Sequence, residues 1–145
     1  MKHQNTYKIK QFPTSKKIAK IINGDKRNHD EKYAAELLVK FGHDVLFLNA
    51  DKRKGVHTPD CYWNGKHWEI KTIHKNSYNT IETAIKSARK QSDYIILHIS
   101  FTKRSIERVS FDIAHYLKTH THNNIKQIFI LNKTRYCLIS RDMLK

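Results

Sequence analysis

Cysteine is scarce in this chain, which excludes one common way of stabilising a small protein. Only Cys61 and Cys137 occur among 145 residues, too few for a framework of disulfides. We expect both thiols to be free, and a single Cys61–Cys137 bridge is the alternative. Free thiols suit a reducing compartment, so we expect the protein to act in a cytoplasm.

Long apolar runs are also missing. No stretch approaches the roughly 20 apolar residues that a membrane-spanning helix needs. The N-terminus carries positive charge with no apolar core behind it, so we expect no secretory signal. The composition, with 39% hydrophobic and 28% charged residues, is instead typical of a folded domain.

Acidic residues are the third shortage. The sequence has 13 Asp/Glu against 28 Lys/Arg, a net charge of +15. Such a one-sided bias favours nucleic acid as the partner, because phosphate backbones bind basic surfaces whatever the base sequence. No basic helix with a large apolar face is evident, so a membrane surface is not expected to be a partner.

The length fits one ordinary domain. The distribution of charge separates a basic N-terminal segment from the rest of the chain. Residues 1–27 hold eight Lys/Arg and one acid, Asp25. We interpret them as a basic N-terminal arm with a short helix at residues 16–22. Residues 28–145 are interpreted as a single domain.

Hydrophobic periodicity and turn signals predict an α/β fold for residues 28–145. Asn28 or Asp30 is expected to cap the first helix and Gly42 to end it, whereas Asn79 with Glu82 is expected to begin the second. The predicted helices cover residues 30–41, 79–91 and 106–118. The predicted strands cover residues 44–49, 94–99, 126–131 and 135–140, with a hairpin at 58–73. This order describes a mixed sheet flanked by helices.

The hairpin carries the most informative pattern. Asn64-Gly65 is a strong signal for a two-residue type I′ turn, and such a turn fixes the strand register. Because side chains alternate, one face carries Asp60, Tyr62, His67, Glu69 and Lys71. The opposite face, which we expect to be buried, carries Cys61, Trp63, Trp68 and Ile70.

In this register Asp60 lies directly opposite Glu69, where two carboxylates repel each other. A shared divalent cation would remove the repulsion, and hard oxygen ligands suit Mg²⁺ or Mn²⁺, with Zn²⁺ as a third candidate. Lys71 points to the same face and is placed to offset negative charge. Glu31 lies at the margin of the buried face of the first helix. The alternatives are a half-exposed hairpin with a solvated polar face and, for Glu31, an acid that complements the helix dipole.

These residues resemble the PD-(D/E)xK nuclease superfamily. Pro59-Asp60, a gap of eight residues and Glu69-Ile70-Lys71 match its signature. The predicted succession is similar to the αβββαβ, restriction-endonuclease-like core of that family, followed here by an extra helix and a C-terminal β-hairpin. The resemblance implies that Asp60 and Glu69 bind metal, that Lys71 is catalytic and that Glu31 is an additional ligand.

A closer resemblance is to the C-terminal toxin domains of contact-dependent inhibition and related polymorphic toxins. The segments that carry it are Asp30-Glu31, Ala34–Leu38, Gly42–Val45, Thr58–Asp60 and Ala88–Asp93. It implies a nuclease that cuts tRNA, delivery into a target cell and a cognate acidic immunity protein. Gln91 matches a recurrent Gln of these domains and is either a substrate contact or a helix-terminal residue without a role.

The function expected from the sequence is therefore a divalent-metal-dependent nuclease, a toxin-type RNase acting on tRNA. The alternatives are a DNA endonuclease or junction resolvase of the same fold, and a non-catalytic basic module that binds nucleic acid. The residues expected to hold the substrate are Lys52, Arg53, Lys54, Thr58, His67, Lys86, Arg89, Lys90 and Gln91.

Overall fold

The computed structural model describes residues 7–14, 17–49, 53, 57–75, 77–100 and 105–144. The helices in these ranges are α1 (His29–Leu38), α2 (Tyr78–Ala88) and α3 (Ile106–Thr119). The strands are β1 (Lys10–Gln11), β2 (Ile21–Ile22), β3 (Val45–Phe47), β4 (Cys61–Trp63), β5 (Lys66–Ile73), β6 (Tyr94–Ile99), β7 (Gln127–Leu131) and β8 (Arg135–Ser140).

The eight strands form one mixed sheet in the order β1-β8-β7-β6-β5-β4-β3-β2. Strands β5, β6 and β7 run parallel, and β3-β4-β5 and β7-β8 are antiparallel. The element order α1-β3-β4-β5-α2-β6 is followed by α3 and the β7–β8 hairpin. The predicted mixed α/β sheet with flanking helices is confirmed.

Helix α1 begins close to where the sequence predicts it. The Asn28 side chain accepts a hydrogen bond from the Glu31 N–H at 2.9 Å, as an N-cap does. The α-helix ends at Leu38 and continues as the 3₁₀ turn Val39–Phe41. Gly42, with φ of 87°, closes it in the left-handed conformation that glycine adopts without strain.

The N-cap of helix α2 lies two residues before the predicted cap Asn79. Ser77 is the N-cap, and its hydroxyl accepts a hydrogen bond from the Thr80 N–H at 3.2 Å. Asn79 lies inside the first turn, and Glu82 forms an ion pair with Lys86 at 2.8 Å instead of reaching back to a cap. The predicted Asn79–Glu82 start was wrong because Ser77, an equally good cap residue, precedes it.

The N-terminal segment takes part in the sheet at both edges. Strand β1 pairs with β8, and β2 pairs in parallel with β3. The helix predicted at residues 16–22 is absent from the described residues 17–22, because Ile21–Ile22 is extended. The domain boundary at residue 27 stays a prediction.

Two hydrophobic cores lie on opposite faces of the sheet. Helix α1 covers the face that presents Ile70 and Ile96, whereas α2 and α3 cover the face that presents Ile73 and Leu97. Strand β5 is therefore buried on both sides over part of its length, which explains why its apolar residues occupy both parities. Among the described residues, no helix has the length and apolar content to cross a membrane.

Candidate active site

The β4–β5 hairpin has the register that the turn predicts. Asn64 and Gly65 have φ of 50° and 82°, and Cys61 pairs with Trp68. The predicted division of the faces is confirmed, since Cys61, Trp63, Trp68 and Ile70 are all buried. The two tryptophans pack in the core and are not free to stack on bases. Both cysteines are buried and free, and burial raises the pKa of Cys61 to about 12, so it stays a thiol.

Asp60 lies just before β4 and uses its side chain where the strand pairing stops. Its Oδ2 accepts a hydrogen bond from the Ile70 N–H at 2.8 Å, so the carboxylate takes the place of a strand partner. This bond holds Asp60 beside Glu69. The predicted juxtaposition of the two acids is thus present in the fold.

Glu69 is an acid that the fold buries. Only 6% of the residue is exposed, and its Oε1 has no hydrogen-bond partner among the described residues. Burial, reinforced by the charge of Asp60, raises the pKa of Glu69 to about 8. The charged form of a buried carboxylate like Glu69 is stabilised by a cation that contacts it.

Lys71 is the cation on the same strand face. Its Nζ lies 3.6 Å from Glu69 Oε2, and the side chain is 30% exposed. The ammonium therefore contacts the buried acid and still reaches solvent. A single residue, Ile70, separates Glu69 from Lys71, and it anchors the strand in the opposite core.

Arg27 is a functional-site residue that the sequence interpretation missed. Its Nη1 lies 3.0 Å from Glu31 Oε2 and 3.3 Å from Asp60 Oδ1. Its Nη2 donates to the Leu48 and Asp60 carbonyl oxygens. The spacing of four residues between Arg27 and Glu31 was a visible signal for this pair. Arg27 thus ties α1 to the start of β4.

Glu31 joins the group through Arg27. Its Oε1 accepts a second hydrogen bond from Asn28 Nδ2 at 2.7 Å. Burial raises the pKa of Glu31, the charge of Asp60 adds to the rise, and Arg27 opposes it. Both carboxylate oxygens of Glu31 are therefore already occupied by protein donors.

The fit of a divalent cation differs among the three acids. Asp60 and the unpartnered Glu69 Oε1 form a pair of oxygen donors of the kind that Mg²⁺ and Mn²⁺ take together with water. Glu31 would have to release Arg27 or Asn28 before it could coordinate. Within the described ranges, no group of three or more His, Cys, Asp or Glu side chains is arranged to hold a metal ion. Asp60 also has a protein donor on each oxygen, Arg27 on Oδ1 and the Ile70 N–H on Oδ2. A cation held by Asp60 and Glu69 would therefore displace fewer protein contacts than one that also recruits Glu31.

A groove of about 540 Å³ opens beside Lys71, between the end of β5 and α2. Its walls include Lys71, His74, Asn79, Thr83 and Ser87. The groove extends from Lys71 of the charged cluster and is lined by both polar and apolar side chains.

The residues predicted to hold the substrate are dispersed. Lys52 and Lys54 lie outside the described residues. Arg53, Lys86, Lys90 and His67 are exposed, and Thr58, Arg89 and Gln91 are partly buried. The His67 ring lies 5.1 Å from the Tyr62 ring in a cross-strand aromatic contact. Lys86, Arg89 and Lys90 do not line the groove beside Lys71.

Comparison with solved structures finds a similar fold in one chain of a toxin and immunity complex. The fold is similar to a chain in the CdiA-CT/CdiI toxin and immunity complex from Burkholderia pseudomallei, with a TM-score of 0.59. The match covers 84% of this chain and 98% of that chain at 13% sequence identity. At this identity the likeness establishes the fold alone. No curated protein matches the sequence.

The sequence itself identifies the family. Residues 57–136, more than half of the chain, match the family described as the contact-dependent growth inhibition CdiA C-terminal domain. The chain belongs to this family and is a C-terminal toxin domain of contact-dependent growth inhibition. The resemblance to the C-terminal toxin domains of contact-dependent inhibition is thereby confirmed. Domains of this family are delivered into target cells.

Proposed function

We propose that this toxin domain is a nuclease that hydrolyses phosphodiester bonds at the cluster of Asp60, Glu69 and Lys71. The observation that carries the proposal is the buried Glu69, held between Asp60 and Lys71 with its pKa raised to about 8. A buried acid with a strongly perturbed pKa beside a groove is a physical mark of a reactive site. The same three residues form the PD-(D/E)xK signature, so we propose the αβββαβ core of that superfamily for α1 to β6.

Each residue has a role that follows from its position. Asp60 and Glu69 would hold Mg²⁺ or Mn²⁺, or Zn²⁺ as the third candidate, and the bound ion supplies Lewis-acid polarisation of the phosphate. Lys71, in contact with Glu69 and open to solvent, orients the attacking water and offsets the negative charge that develops on the phosphate. Arg27 and Glu31 position Asp60 from the side of α1.

The charge of the chain supports nucleic acid as the substrate. A net charge of +15 supplies affinity for phosphate backbones in general. Within nucleic acids we favour RNA, and tRNA in particular, on the resemblance to toxins that cut tRNA. A DNA endonuclease or junction resolvase with the same core is the alternative.

We further propose a cognate immunity protein with an acidic surface, acting in the cytoplasm that receives the toxin. The similar solved structure is a complex of a toxin with its immunity protein. An acidic partner would complement the basic surface and compete with nucleic acid for it.

Cleavage assays test the proposal directly. The purified chain is incubated with tRNA, single-stranded RNA and plasmid DNA, each with Mg²⁺, with Mn²⁺ and with EDTA. We expect cleavage of tRNA with a divalent ion, loss of cleavage in EDTA, and at least a hundredfold loss in Asp60→Asn and Lys71→Ala.

Two exposed residues away from the cluster provide matched controls for these variants. Glu36→Gln and Lys118→Ala remove the same charges from the solvent faces of α1 and α3 and should cut at the wild-type rate. Cleavage that survives both Asp60→Asn and Lys71→Ala would show that the site lies elsewhere.

One observation favours a non-catalytic module as the second candidate. Arg27 already neutralises Glu31 and Asp60, so the acids have a protein cation without any metal. In that case the domain binds nucleic acid and cuts none. Tight binding of tRNA with no cleavage under any of the metal conditions would support this second function.

A further inference from the structure

A second polar cavity lies at the carboxyl ends of the three parallel strands. It has a volume of about 870 Å³ and lies between the N-terminal turns of α1 and α3 and the β7–β8 turn. Its walls include Asp30, Tyr33, His74, His98, Ser105 and Lys133. In open α/β sheets, ligands bind outside the carboxyl ends of the strands, so the position itself suits a ligand.

Two residues carry a buried polar atom without a partner among the described residues: His98, which lines this cavity, and Thr72, which lines the groove beside Lys71. Thr72 Oγ1 and His98 Nδ1 are both buried, and neither has a hydrogen-bond partner in the part of the chain that the structure describes. Thr72 and His98 are register partners on β5 and β6, so their side chains lie on the same sheet face. Burying such groups without partners destabilises the folded state, because their lost contacts with water are not replaced. A ligand that pairs with them would recover that stability.

The imidazole of His98 forms part of the cavity wall and is held rigidly. The residue is 3% exposed, and its ring stacks on Tyr33 with centroids 5.3 Å apart. Burial lowers the pKa of His98 to about 4, so at neutral pH the ring offers one donor and one acceptor without charge. Next to it, His74 Nε2 lies 2.8 Å from Asp30 Oδ2. The uncharged His98 imidazole beside the hydrogen-bonded Asp30–His74 pair forms a floor that suits a nucleobase edge better than a phosphate, which the Asp30 carboxylate would repel.

Positive charge lies on the other side of the cavity. Lys133 is exposed there, and Ser105 caps the 14-residue helix α3, whose N-terminus carries partial positive charge. Arg135 also lines the cavity, but Glu107 holds it in a bidentate pair at 2.9 and 3.0 Å. The hydrogen-bonding floor suits the base of a nucleotide, and the cationic rim suits its phosphate.

We propose that this cavity binds a base of the nucleic-acid substrate, close to the nucleotide that is cut; the inference rests on the proposed nuclease function. His74 lines both the cavity and the groove beside Lys71. It follows Lys71 by three residues, a distance of about 10 Å along an extended strand. A strand of nucleic acid running from the groove into the cavity would place a neighbouring base on His98 and Thr72.

The test reads nucleotide binding in EDTA, where metal-dependent cleavage cannot contribute. Protein labelled with ¹⁵N-histidine is titrated with each of the four ribonucleoside 5′-monophosphates, and the His98 imidazole signals are followed by NMR. Parallel titrations use ribose 5-phosphate and inorganic phosphate. We expect at least one nucleotide to give a saturable shift of the His98 signals, and the two base-free compounds to give none.

Thr72→Val provides the matched variant. It keeps the shape of the side chain and removes a hydroxyl that has no hydrogen-bond partner among the described residues, so the fold should be as stable as the wild type or more stable. Nucleotide binding should weaken roughly three- to tenfold, as expected for the loss of one hydrogen bond. Thr121→Val, on an exposed threonine after α3, should change neither property.

Three results would overturn the proposal. Equal shifts with inorganic phosphate would make the cavity an anion site, and no saturable shift with any nucleotide would mean that buried water alone pairs with the two orphaned atoms. Unchanged binding in Thr72→Val would remove the base from the Thr72–His98 pair. Nucleotide binding by a protein that cuts no nucleic acid would contradict the nuclease proposal and support the cavity assignment.

Discussion

Arg27 shows how one side chain can hold together acids that the fold brings into contact. Glu31 and Asp60 are each less than a fifth exposed, and Arg27 contacts both. Its guanidinium also lies 5.0 Å from the centre of the Phe47 ring. We expect Arg27→Met to lower the free energy of unfolding by about 2 kcal/mol in EDTA, because two half-buried carboxylates lose their cation. Urea denaturation measures this, with Lys26→Met on the exposed neighbouring lysine as the control, which should be close to neutral.

The same variant tests where a divalent ion binds. If Asp60 and Glu69 hold Mg²⁺, removing Arg27 takes away a competing cation. Mg²⁺ should then raise the melting temperature of Arg27→Met more than that of the wild type, because an ion that binds the folded state alone stabilises it. Equal effects of Mg²⁺ on the two proteins would show that Arg27 and the metal do not share the acids.

Glu69 should make the stability of the protein depend on pH. Its pKa is raised from 4.5 to about 8, so between these values the folded chain keeps a proton that the unfolded chain has released. The free energy of unfolding therefore falls as pH rises from about 4.5 to about 8, with a total contribution on the order of a few kcal/mol. Glu69→Gln removes this fall and should be more stable than the wild type at pH 8 in EDTA.

A matched acid separates this effect from the general charge of the chain. Glu36 is exposed on the solvent face of α1, and Glu36→Gln should leave the pH profile of the wild type unchanged. Urea denaturation at several pH values from 5 to 8.5 makes the comparison. A Glu69→Gln profile with the wild-type slope would mean that Glu69 titrates in the folded state as it does in water.

Among the secondary-structure elements, α2 tests the assignment of a helix start. Ser77 caps the helix through its hydroxyl, whereas Asn79 lies in the first turn. We expect Ser77→Ala to cost about 1 kcal/mol of stability, the usual value of an N-cap, and Asn79→Ala to cost clearly less. Circular dichroism during urea denaturation measures both variants. An equal or larger loss in Asn79→Ala would restore the start that the sequence predicted.

The β4–β5 hairpin could be predicted from the sequence because two independent rules agree on it. The Asn64-Gly65 turn sets the register, and alternation then assigns every side chain to a face. Asp60, Glu69 and Lys71 follow from that register without any knowledge of the rest of the chain. The long, periodic helices α1 and α3 were predictable for a similar reason.

Other parts of the fold could not be predicted, because they have no local sequence pattern. Strands β1 and β2 have two residues each, too few for any periodicity to show. Arg27 precedes the helix cap and reaches Asp60 across 33 residues, a contact that depends on how α1 packs on the sheet. The pairing of Thr72 with His98 likewise needs the parallel register of β5 and β6. Local rules predict local geometry, and these contacts are not local.

The cluster of Asp60, Glu69 and Lys71 and the second cavity both lie along strand β5 and its C-terminal end. Strand β5 carries Glu69, Lys71 and Thr72, and it is followed by His74, which lines both the groove and the second cavity. Strand β4 stops pairing at Cys61, so the β4 side of β5 beyond that point has no strand partner from β4. The proposed catalytic residues Glu69 and Lys71 and the proposed base-binding residue Thr72 would therefore lie on a single strand, with α2 on one face and α1 on the other. His98 lies on the neighbouring strand β6.

The net charge of +15 makes a prediction for the chain as a unit. If its basic surface neutralises six or more phosphates of tRNA, the affinity should fall roughly 10³-fold between 50 and 200 mM salt, because each neutralised phosphate releases counterions. Fluorescence anisotropy with labelled tRNA in EDTA measures the affinity without cleavage. A peptide nucleic acid oligomer has bases but no phosphates, so it should bind much more weakly than tRNA, and its affinity should not change with salt. An affinity that changes less than threefold would show that contacts other than phosphate dominate, and the positive charge would then have to serve a different partner, such as the acidic immunity protein.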